Sequence, residues 1–455
     1  MTELAVNDDH QRAVEALRRS YDAIPKGAPV RLAKRTSNLF RWRDPAQGPG
    51  LDVSGFGRVL SVDPESRTAQ VQGMTTYEDL VDATLPHGLM PTVVPQLKTI
   101  TLGGAVTGLG VESTSFRQGL PHEAVRELDI LTGAGEIVTA TRDNEHSDLF
   151  YGFPNSYGTL GYSLRIVIDL VPVKKFVRLR HLRFDTAQEL SRAMGEITES
   201  GVYEGETVDF MDGTVFSAAE QYITLGFFTD DAPYTSDYTG QRIYYRSIQQ
   251  RSVDFLTVRD YIWRWDTDWF WCSGAFGVQN PTVRRLWPDK YKRSDVYRKL
   301  VAYDRRYQLV AHVDRWSGKR PREDVIQDIE VPVENLPAFL DMFHEKVGMK
   351  PVWLCPIKAR ENWPLYPLEA GRVYVNAGFW GTVRIPPGQI PEYHNRLIER
   401  EVARLDGHKS LYSTAFYSRD EFWKHYDGQT YRRLKGTYDP DARLLDLYDK
   451  CVRGR

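Results

Sequence analysis

An α+β fold is predicted, with a compact, strand-rich part over residues 1–175 and a second part in which a central sheet is covered by helices. Three observations predict it. Short runs of alternating or branched apolar residues recur between turn formers, as strands require. Fewer, longer segments carry apolar residues at helical spacing instead. After Pro172-Val-Lys-Lys175 the texture changes and Tyr, Trp and Phe become dense, which marks a domain boundary.

The elements follow in chain order. Residues 8–23 place Ala13, Val14, Leu17 and Tyr21 on one helical face, closed by Pro25 and Gly27. Arg58–Val62, Thr68–Gln72 and Ala124–Leu131 read as strands, bounded by turns at Asp63-Pro64 and Gly133-Ala-Gly135. Between them Thr76–Leu85 is an amphipathic helix, with Thr76 as N-cap and Glu78 and Asp79 in the first turn, where the helix dipole favours acids. Tyr162–Val171 is an apolar strand. In the second part strand-like pieces at Phe210, Tyr222–Phe228, Val325–Val331, Val352–Cys355 and Val373–Ala377 alternate with helical stretches at Thr186–Glu199, Leu336–Lys346 and Glu392–Leu405. The densest aromatic cluster is Tyr261–Trp271.

Composition narrows the function classes. A chain of 455 residues holds two or three domains, and 41% hydrophobic with 12% aromatic residues supplies their cores. With 59 basic and 61 acidic side chains the formal charge is −2, which excludes a strongly basic nucleic-acid binder. Cys272, Cys355 and Cys451 form neither a disulfide framework nor a CxxC metal site, so a reducing compartment and no metal are expected. The first residues lack a signal-peptide core, and no apolar stretch approaches the roughly 18–20 residues that span a bilayer. A cytoplasmic protein is expected, with contact to the inner face of a membrane only peripheral.

The most informative segment runs from Pro95 to Gly119. Gly103, Gly104, Gly108, Gly110 and Gly119 open the backbone, while Thr99, Thr101, Thr107, Ser113, Thr114 and Ser115 supply hydroxyls. Such a segment can cradle a pyrophosphate, because backbone N–H groups approach the anion where side chains are missing. On the glycines alone, a run of tight turns in a β-rich domain is the more common explanation. No GxxxxGK[ST] occurs, and neither Gly108-Leu-Gly110 nor Gly133-Ala-Gly135 has the third glycine of a nicotinamide-type fingerprint. A second glycine turn, Gly158-Thr-Leu-Gly161, precedes the Tyr162 strand.

In order and spacing these segments resemble the FAD-binding domain of the vanillyl-alcohol oxidase and p-cresol methylhydroxylase superfamily. Pro95–Gly119, Asn144–Tyr151 and Gly158–Gly161 are similar to the branch that holds 24-dehydrocholesterol (delta24-sterol) reductase, the plant sterol reductases and bacterial 10-methylene fatty acyl reductases. The similarity continues through Phe210-Met-Asp-Gly213, Gln327-Asp328, Val331-Pro332 and Trp353-Leu-Cys-Pro356, and closes with Leu411-Tyr412, Arg419–Trp423 and Asp427-Gly428.

The resemblance implies a PCMH-type FAD-binding domain of two subdomains over residues 1–175, an α+β cap over 176–415 that builds the substrate pocket, and a segment 416–455 that returns to the flavin. The FAD contacts it implies are Thr99, Thr101, Leu102, Gly103, Gly104, Gly108, Glu112, Ser113, Ser115, Gly119, Thr159, Gly161 and Ile166. The early stretch Leu32–Asn38 lacks the histidine that often links the flavin covalently in this superfamily, so a non-covalent FAD is expected, with His122 as an alternative anchor. The chain departs from the sterol reductases at Phe116, where they carry histidine, and at Asp212, where they carry glutamate.

A flavoprotein of this branch would reduce an isolated C=C bond. Such an alkene accepts hydride only once protonation leaves positive charge on its more substituted carbon, so the site needs an acid on one face, flavin on the other, and no water. The 11 Trp and 25 Tyr suit a dry pocket that also stabilises a transient cation. Asp212, Asp328, Glu330, Lys358, Tyr374 and Tyr412 are the acids to weigh, and Asp212, Asp328, Lys358 and Tyr412 are carried forward as catalytic candidates. The arginine-heavy basic set, 43 Arg to 16 Lys, and the lack of an N-terminal anchor favour a 10-methylene fatty acyl chain or phospholipid over a sterol. NADPH is the expected reductant, and a methyltransferase that makes the methylene is an expected partner. The alternatives are a delta24-sterol reductase activity and an oxidase or dehydrogenase of an alcohol or hydroxy acid.

Overall fold

The computed structural model describes residues 3–34, 40–41, 50–268, 277–307, 316 and 318–454. Helices and two antiparallel sheets make an α+β architecture, as the strand texture predicts. The first sheet uses β1 (Val59–Asp63), β2 (Thr68–Gln72), β3 (Leu89–Pro91), β4 (Val125–Leu131), β5 (Ile137–Thr141) and β6 (Tyr162–Pro172). β6 is its centre: β2 and β4 flank it, β1 and β5 lie outside them, and β3 pairs with its C-terminal end. Leu164, Ile166, Ile168 and Leu170 alternate inward along β6, which is the period a half-buried strand needs. On the other face Arg165 donates to Asp129 at 2.7 Å and pairs with Glu127, a cross-strand charge ladder. The opening helix Glu3–Asp22 buries Leu17 and Tyr21 against Phe56 and Leu131. The helix Tyr77–Thr84 starts where its sequence says, with the Thr76 hydroxyl accepting from the Asp79 N–H at 3.1 Å.

The second sheet begins at Phe176. Its strands are β7 (Phe176–Phe184), β10 (Phe210–Ser217), β11 (Glu220–Thr229), β12 (Val253–Thr257), β13 (Arg322–Pro332), β14 (Val352–Lys358), β15 (Val373–Arg384) and β16 (His408–Lys409), in the spatial order β12-β7-β11-β10-β14-β15-β13-β16. A small separate hairpin pairs β8 (Val202–Tyr203) with β9 (Glu206–Thr207). The sequence reading missed β7 because Arg178, Arg180 and Arg183 interrupt its apolar residues. Two of these arginines form ion pairs at the hairpin, Arg178 with Glu206 and Arg180 with Glu204, each at 2.7 Å.

Three helices, Ala187–Ser200, Leu336–Lys346 and Tyr393–Arg404, cover one face of this sheet. Their Leu190, Met194, Phe339, Phe343, Ile398 and Val402 pack with Met211, Val215, Leu354, Val375 and Phe379 of the strands. Successive strand residues point to opposite faces. The neighbours of those strand residues, Phe210, Asp212, Trp353, Cys355, Tyr374, Asn376 and Trp380, therefore line the other face. That face packs on the first sheet's loops and on the C-terminal helices Arg419–His425, Gly428–Tyr438 and Leu447–Cys451, sharing one core with Tyr157, Leu160, Leu411, Phe422 and Tyr431. Lys435 and Lys450 fasten the C-terminal helices to the glycine turn, donating to the Thr159 and Tyr157 carbonyls at 2.8 and 2.7 Å. Among the described residues no helix is long and apolar enough to cross a membrane.

Candidate functional site

The glycine-rich segment folds as the helix Leu102–Gly108 and the short helix Ser115–Gln118, with turns and loop around them. Thr99 lies in the turn that leads into the first, and Thr101 caps it, accepting from the Gly104 N–H at 3.2 Å. Leu102, Gly103, Gly104 and Gly108 belong to the helix Leu102–Gly108. Glycine is a poor helix former, and close packing decides the matter here. The Gly103 N–H donates to the Gly73 carbonyl at 3.0 Å, and a Cβ on Gly103 would stand 2.6 Å from that oxygen and 2.5 Å from Ser163 Oγ. Gly103→Ala is therefore expected to destabilise the fold by about 1–3 kcal/mol and to lower the melting temperature. Gly108 lies under the Tyr157 ring, whose hydroxyl donates to its carbonyl at 2.6 Å.

Beyond the helix, Ser115 Oγ accepts from the Glu112 N–H at 3.1 Å, and Gly119 closes the short helix Ser115–Gln118 at φ +70°. Thr159 is buried, its hydroxyl donating to the Ser156 carbonyl at 2.7 Å, and Gly161 turns into β6. Ile166 is a core residue of β6, opposite Val71 and Leu128. Phe116 is a core residue too, packed in the cluster on the helix-covered side of the second sheet. His122 is buried with neither ring nitrogen hydrogen-bonded, edge-on to Trp363 at 4.5 Å, and burial pulls its pKa down to about 3. Its neighbour Glu123 is fully engaged: Oε2 accepts from the Leu120 N–H at 2.7 Å, and Oε1 accepts from the N–H groups of Arg360 and Glu361 at 2.7 and 3.1 Å. Of Leu32–Asn38, positions 35–38 lie outside the described residues, as do Cys272 and residues 269–271 of the aromatic run.

The site faces this segment from the second sheet. Directly opposite residues of antiparallel strands share a face, so the register assembles it. Asn376 stands opposite Cys355 on one side and Glu330 on the other, while Gly378 stands opposite Trp353 and Asp328. Pairing of Gly213 with Leu354 brings Asp212 alongside Cys355. A band of polar groups, Asp212, Cys355, Asn376, Asp328 and Glu330, thus crosses four strands of an otherwise apolar face.

Two centres form on this band. In the first, Arg264 Nη2 donates to Glu112 and to Asp212, each at 2.7 Å, with its guanidinium 4.0 Å from the Tyr261 ring centroid. All three charged side chains are buried, and burial pushes the Glu112 carboxyl up while Arg264 opposes the shift. The Met211 N–H donates to the Ser113 carbonyl at 2.7 Å, and the Tyr261 hydroxyl reaches Ser113 Oγ at 3.0 Å. In the second centre, Asn376 Nδ2 donates to Asp328 Oδ1 at 3.0 Å, and Tyr412, whose hydroxyl takes the Trp380 indole N–H at 2.7 Å, lies close enough to the same carboxyl to lower its pKa. Asp328 and Tyr412 lie deep among protein atoms yet keep part of their surface accessible. Desolvation pushes Asp328 up to about 7 and Glu330 up to about 8, and holds Tyr412 well above its usual value.

The structure therefore brings Asp328 and Tyr412 together and ties Asp212 to Glu112 and Arg264. Lys358 is elsewhere. It pairs with Glu199 of the helix Ala187–Ser200 at 2.6 Å, on the opposite side of the sheet and partly in solvent. Tyr374 is buried, its oxygen accepting from the Glu369 N–H at 3.3 Å. Arg264, Asn376 and Tyr157 went unnoticed in the sequence, where nothing but the aromatic run around Arg264 singled them out. A wider groove of about 550 Å3, lined by Arg396, Tyr417, Tyr448 and Arg453, carries none of the candidate residues.

The FAD binding domain family matches residues 8–141, the helix Leu102–Gly108 included. Over 425 residues the chain is 26% identical to a Delta(24)-sterol reductase homolog of Caenorhabditis elegans, covering 87% of this chain and 78% of that one. It is 26% identical to the Delta(24)-sterol reductase of Homo sapiens over 410 residues, 87% and 76% of the two chains. With that of Arabidopsis thaliana it shares 25% over 449 residues, 89% and 77%. The chain is an FAD-dependent oxidoreductase that resembles the delta24-sterol reductases.

FAD needs hydrogen-bond partners for its phosphates, ribityl hydroxyls and ring edge, and this flavoprotein has them. Both amide atoms of Gln96, Thr114 Oγ1, Glu112 Oε2 and Ser156 Oγ are buried without a partner in the protein. Glu112, Ser113 and Thr114 also line a narrow cleft with Val94, Phe210, Tyr261 and Arg264, where the segment meets the second sheet. Unsatisfied buried polar atoms are costly unless a ligand or water completes them, so the donor set fits the cofactor.

Proposed function

We propose that this flavoprotein reduces an isolated carbon–carbon double bond in a lipid, of the branched type found in a delta24-sterol side chain. The observation that carries it is the buried Asp328 carboxyl, which accepts from Asn376 Nδ2 at 3.0 Å on an apolar sheet face beside Tyr412 and Trp380, and whose pKa desolvation raises to about 7. The relatives' names support the sterol-type alkene, so that reading replaces the fatty acyl chain put first from composition. The methyltransferase partner belonged to the fatty acyl reading and is not carried further. A cytoplasmic enzyme that meets its lipid at a membrane surface fits this chemistry.

Bound FAD, once reduced, supplies the hydride, with NADPH as its source. Thr99, Thr101, Gly103, Gly104, Gly108, Glu112, Ser113, Ser115, Gly119, Thr159 and Gly161 form the shell that holds it, and Leu102 and Ile166 are the apolar residues behind. Asp328 gives its proton to the less substituted alkene carbon. Trp380 and Tyr412 present aromatic surface to the positive charge that develops, and the dry face keeps water from capturing it. Asn376 and Tyr412 fix the carboxyl in place. Asp212 is bound in the ion triad, where it positions Arg264 and Glu112 beside the cofactor shell.

The test is anaerobic. NADPH should bleach the flavin, and a delta24 sterol should restore its absorbance while gaining the mass of one hydride and one proton. Reoxidation by a 10-methylene phospholipid alone would return the fatty acyl reading. Bleaching by an alcohol or hydroxy acid and not by NADPH would replace reduction with oxidation.

A further inference from the structure

The reaction as proposed leaves Glu330 unused. It lies two residues from Asp328 on the same face of β13, with no exposed surface. Tyr366 donates to one of its oxygens and Ser410 to the other at 3.2 Å, which by itself is a satisfied core carboxylate. Three observations point further. Asn376 stands opposite Glu330 and spends its Nδ2 on Asp328, while its buried Oδ1 has no partner and is free to accept a proton-bearing oxygen or a water between the two carboxyls. On the outer side, the Tyr366 ring is 5.8 Å from that of His408, the residue paired with Glu330 across β16, and His408 is partly exposed with its Nδ1 buried. Finally, the two carboxyls, at about 7 and about 8, hold protons with affinities close enough for transfer either way.

We propose that Glu330 is the proton reservoir of this site, returning to Asp328 the proton that each turnover removes. The inference rests on Asp328 as the acid. In the step an O–H bond of the Glu330 carboxyl breaks and one forms on the Asp328 carboxylate, so the negative charge passes to Glu330. Glu330 then recovers a proton from solvent through its two hydrogen-bond partners, the Tyr366 and Ser410 hydroxyls, and no electrons move. The groups facing Glu330 are Asp328, Tyr366, His408, Tyr157, Tyr417 and Tyr426, and the Asp328 carboxylate is the charge that acts on it.

The test uses the full-length flavoprotein and Glu330→Gln, which keeps an acceptor for Tyr366. Pre-reduced protein mixed with the alkene should complete its first turnover at the wild-type rate, because Asp328 already carries its proton. The steady-state rate should fall about tenfold or more and acquire a solvent deuterium isotope effect. Independently of activity, infrared titration of the oxidised protein should show two protonated carboxyl bands near neutral pH, of which Glu330→Gln removes the one with the higher pKa. Equal loss in both kinetic phases, no loss in either, or an unchanged infrared titration would overturn the reservoir. Should Glu330→Gln fail to fold, Tyr366→Phe cuts the outward path and must give the same kinetic split. A normal first turnover in Asp328→Asn would instead remove the acid itself, and so separates failure of the underlying reading from failure of this one.

Discussion

Asp328→Asn is expected to keep its flavin and lose alkene reduction by about a hundredfold to ten-thousandfold, the range a positioned general acid contributes. The amide has the size of the carboxyl and can still accept from Asn376, so binding and folding survive while the transferable proton is gone. The wild-type protein should show reduction that is full at low pH and falls as pH rises through about 7, where Asp328 deprotonates. That limb should be absent in Asp328→Asn. Single-turnover rates from about pH 5 to pH 9, with flavin absorbance as the occupancy check, decide the point. A retained limb would assign the acid elsewhere. The same shift has a stability sign. Asp328 binds its proton more tightly folded than unfolded, so its stabilisation is full below about 4 and is lost as pH rises through about 7.

Arg264→Ala should be the most destabilising single change in the first centre, by about 3–5 kcal/mol. The guanidinium is the shared partner of Glu112 and Asp212, and its removal leaves two carboxylates buried together without a counter-charge. Glu112 belongs to the glycine-rich segment and Asp212 to β10, so the loss also pushes the two sheets' elements apart. Denaturant melts should show the drop in midpoint, and adding Glu112→Gln and Asp212→Asn should recover much of it. A melt unchanged by Arg264→Ala would mean that water already screens the triad.

Much of the scaffold was legible because it rests on local periodicity. β2 and the helix Leu336–Lys346 have the bounds that their apolar spacing gives, and Thr76 caps the helix it precedes. The helix Leu102–Gly108 was not legible, since its three glycines argue against a helix and contact with Gly73 and Ser163 decides for one. The polar band was not legible either. Its members lie far apart in the chain and meet only through register, which one sequence does not contain. Strand parity could have corrected Lys358: it is three residues from Cys355, an odd number, so the two side chains leave the sheet on opposite faces.

Glu123 carries a consequence for how the FAD-binding part and the second sheet are joined. Its carboxylate accepts from a neighbouring loop N–H on one oxygen and from two N–H groups of the 360–361 turn on the other, deep inside the protein. A joint of that kind works as a rivet, since opening it would strand a charge in a dry cleft. The FAD-binding part and the loop between β14 and β15 are therefore joined by hydrogen bonds that are costly to open.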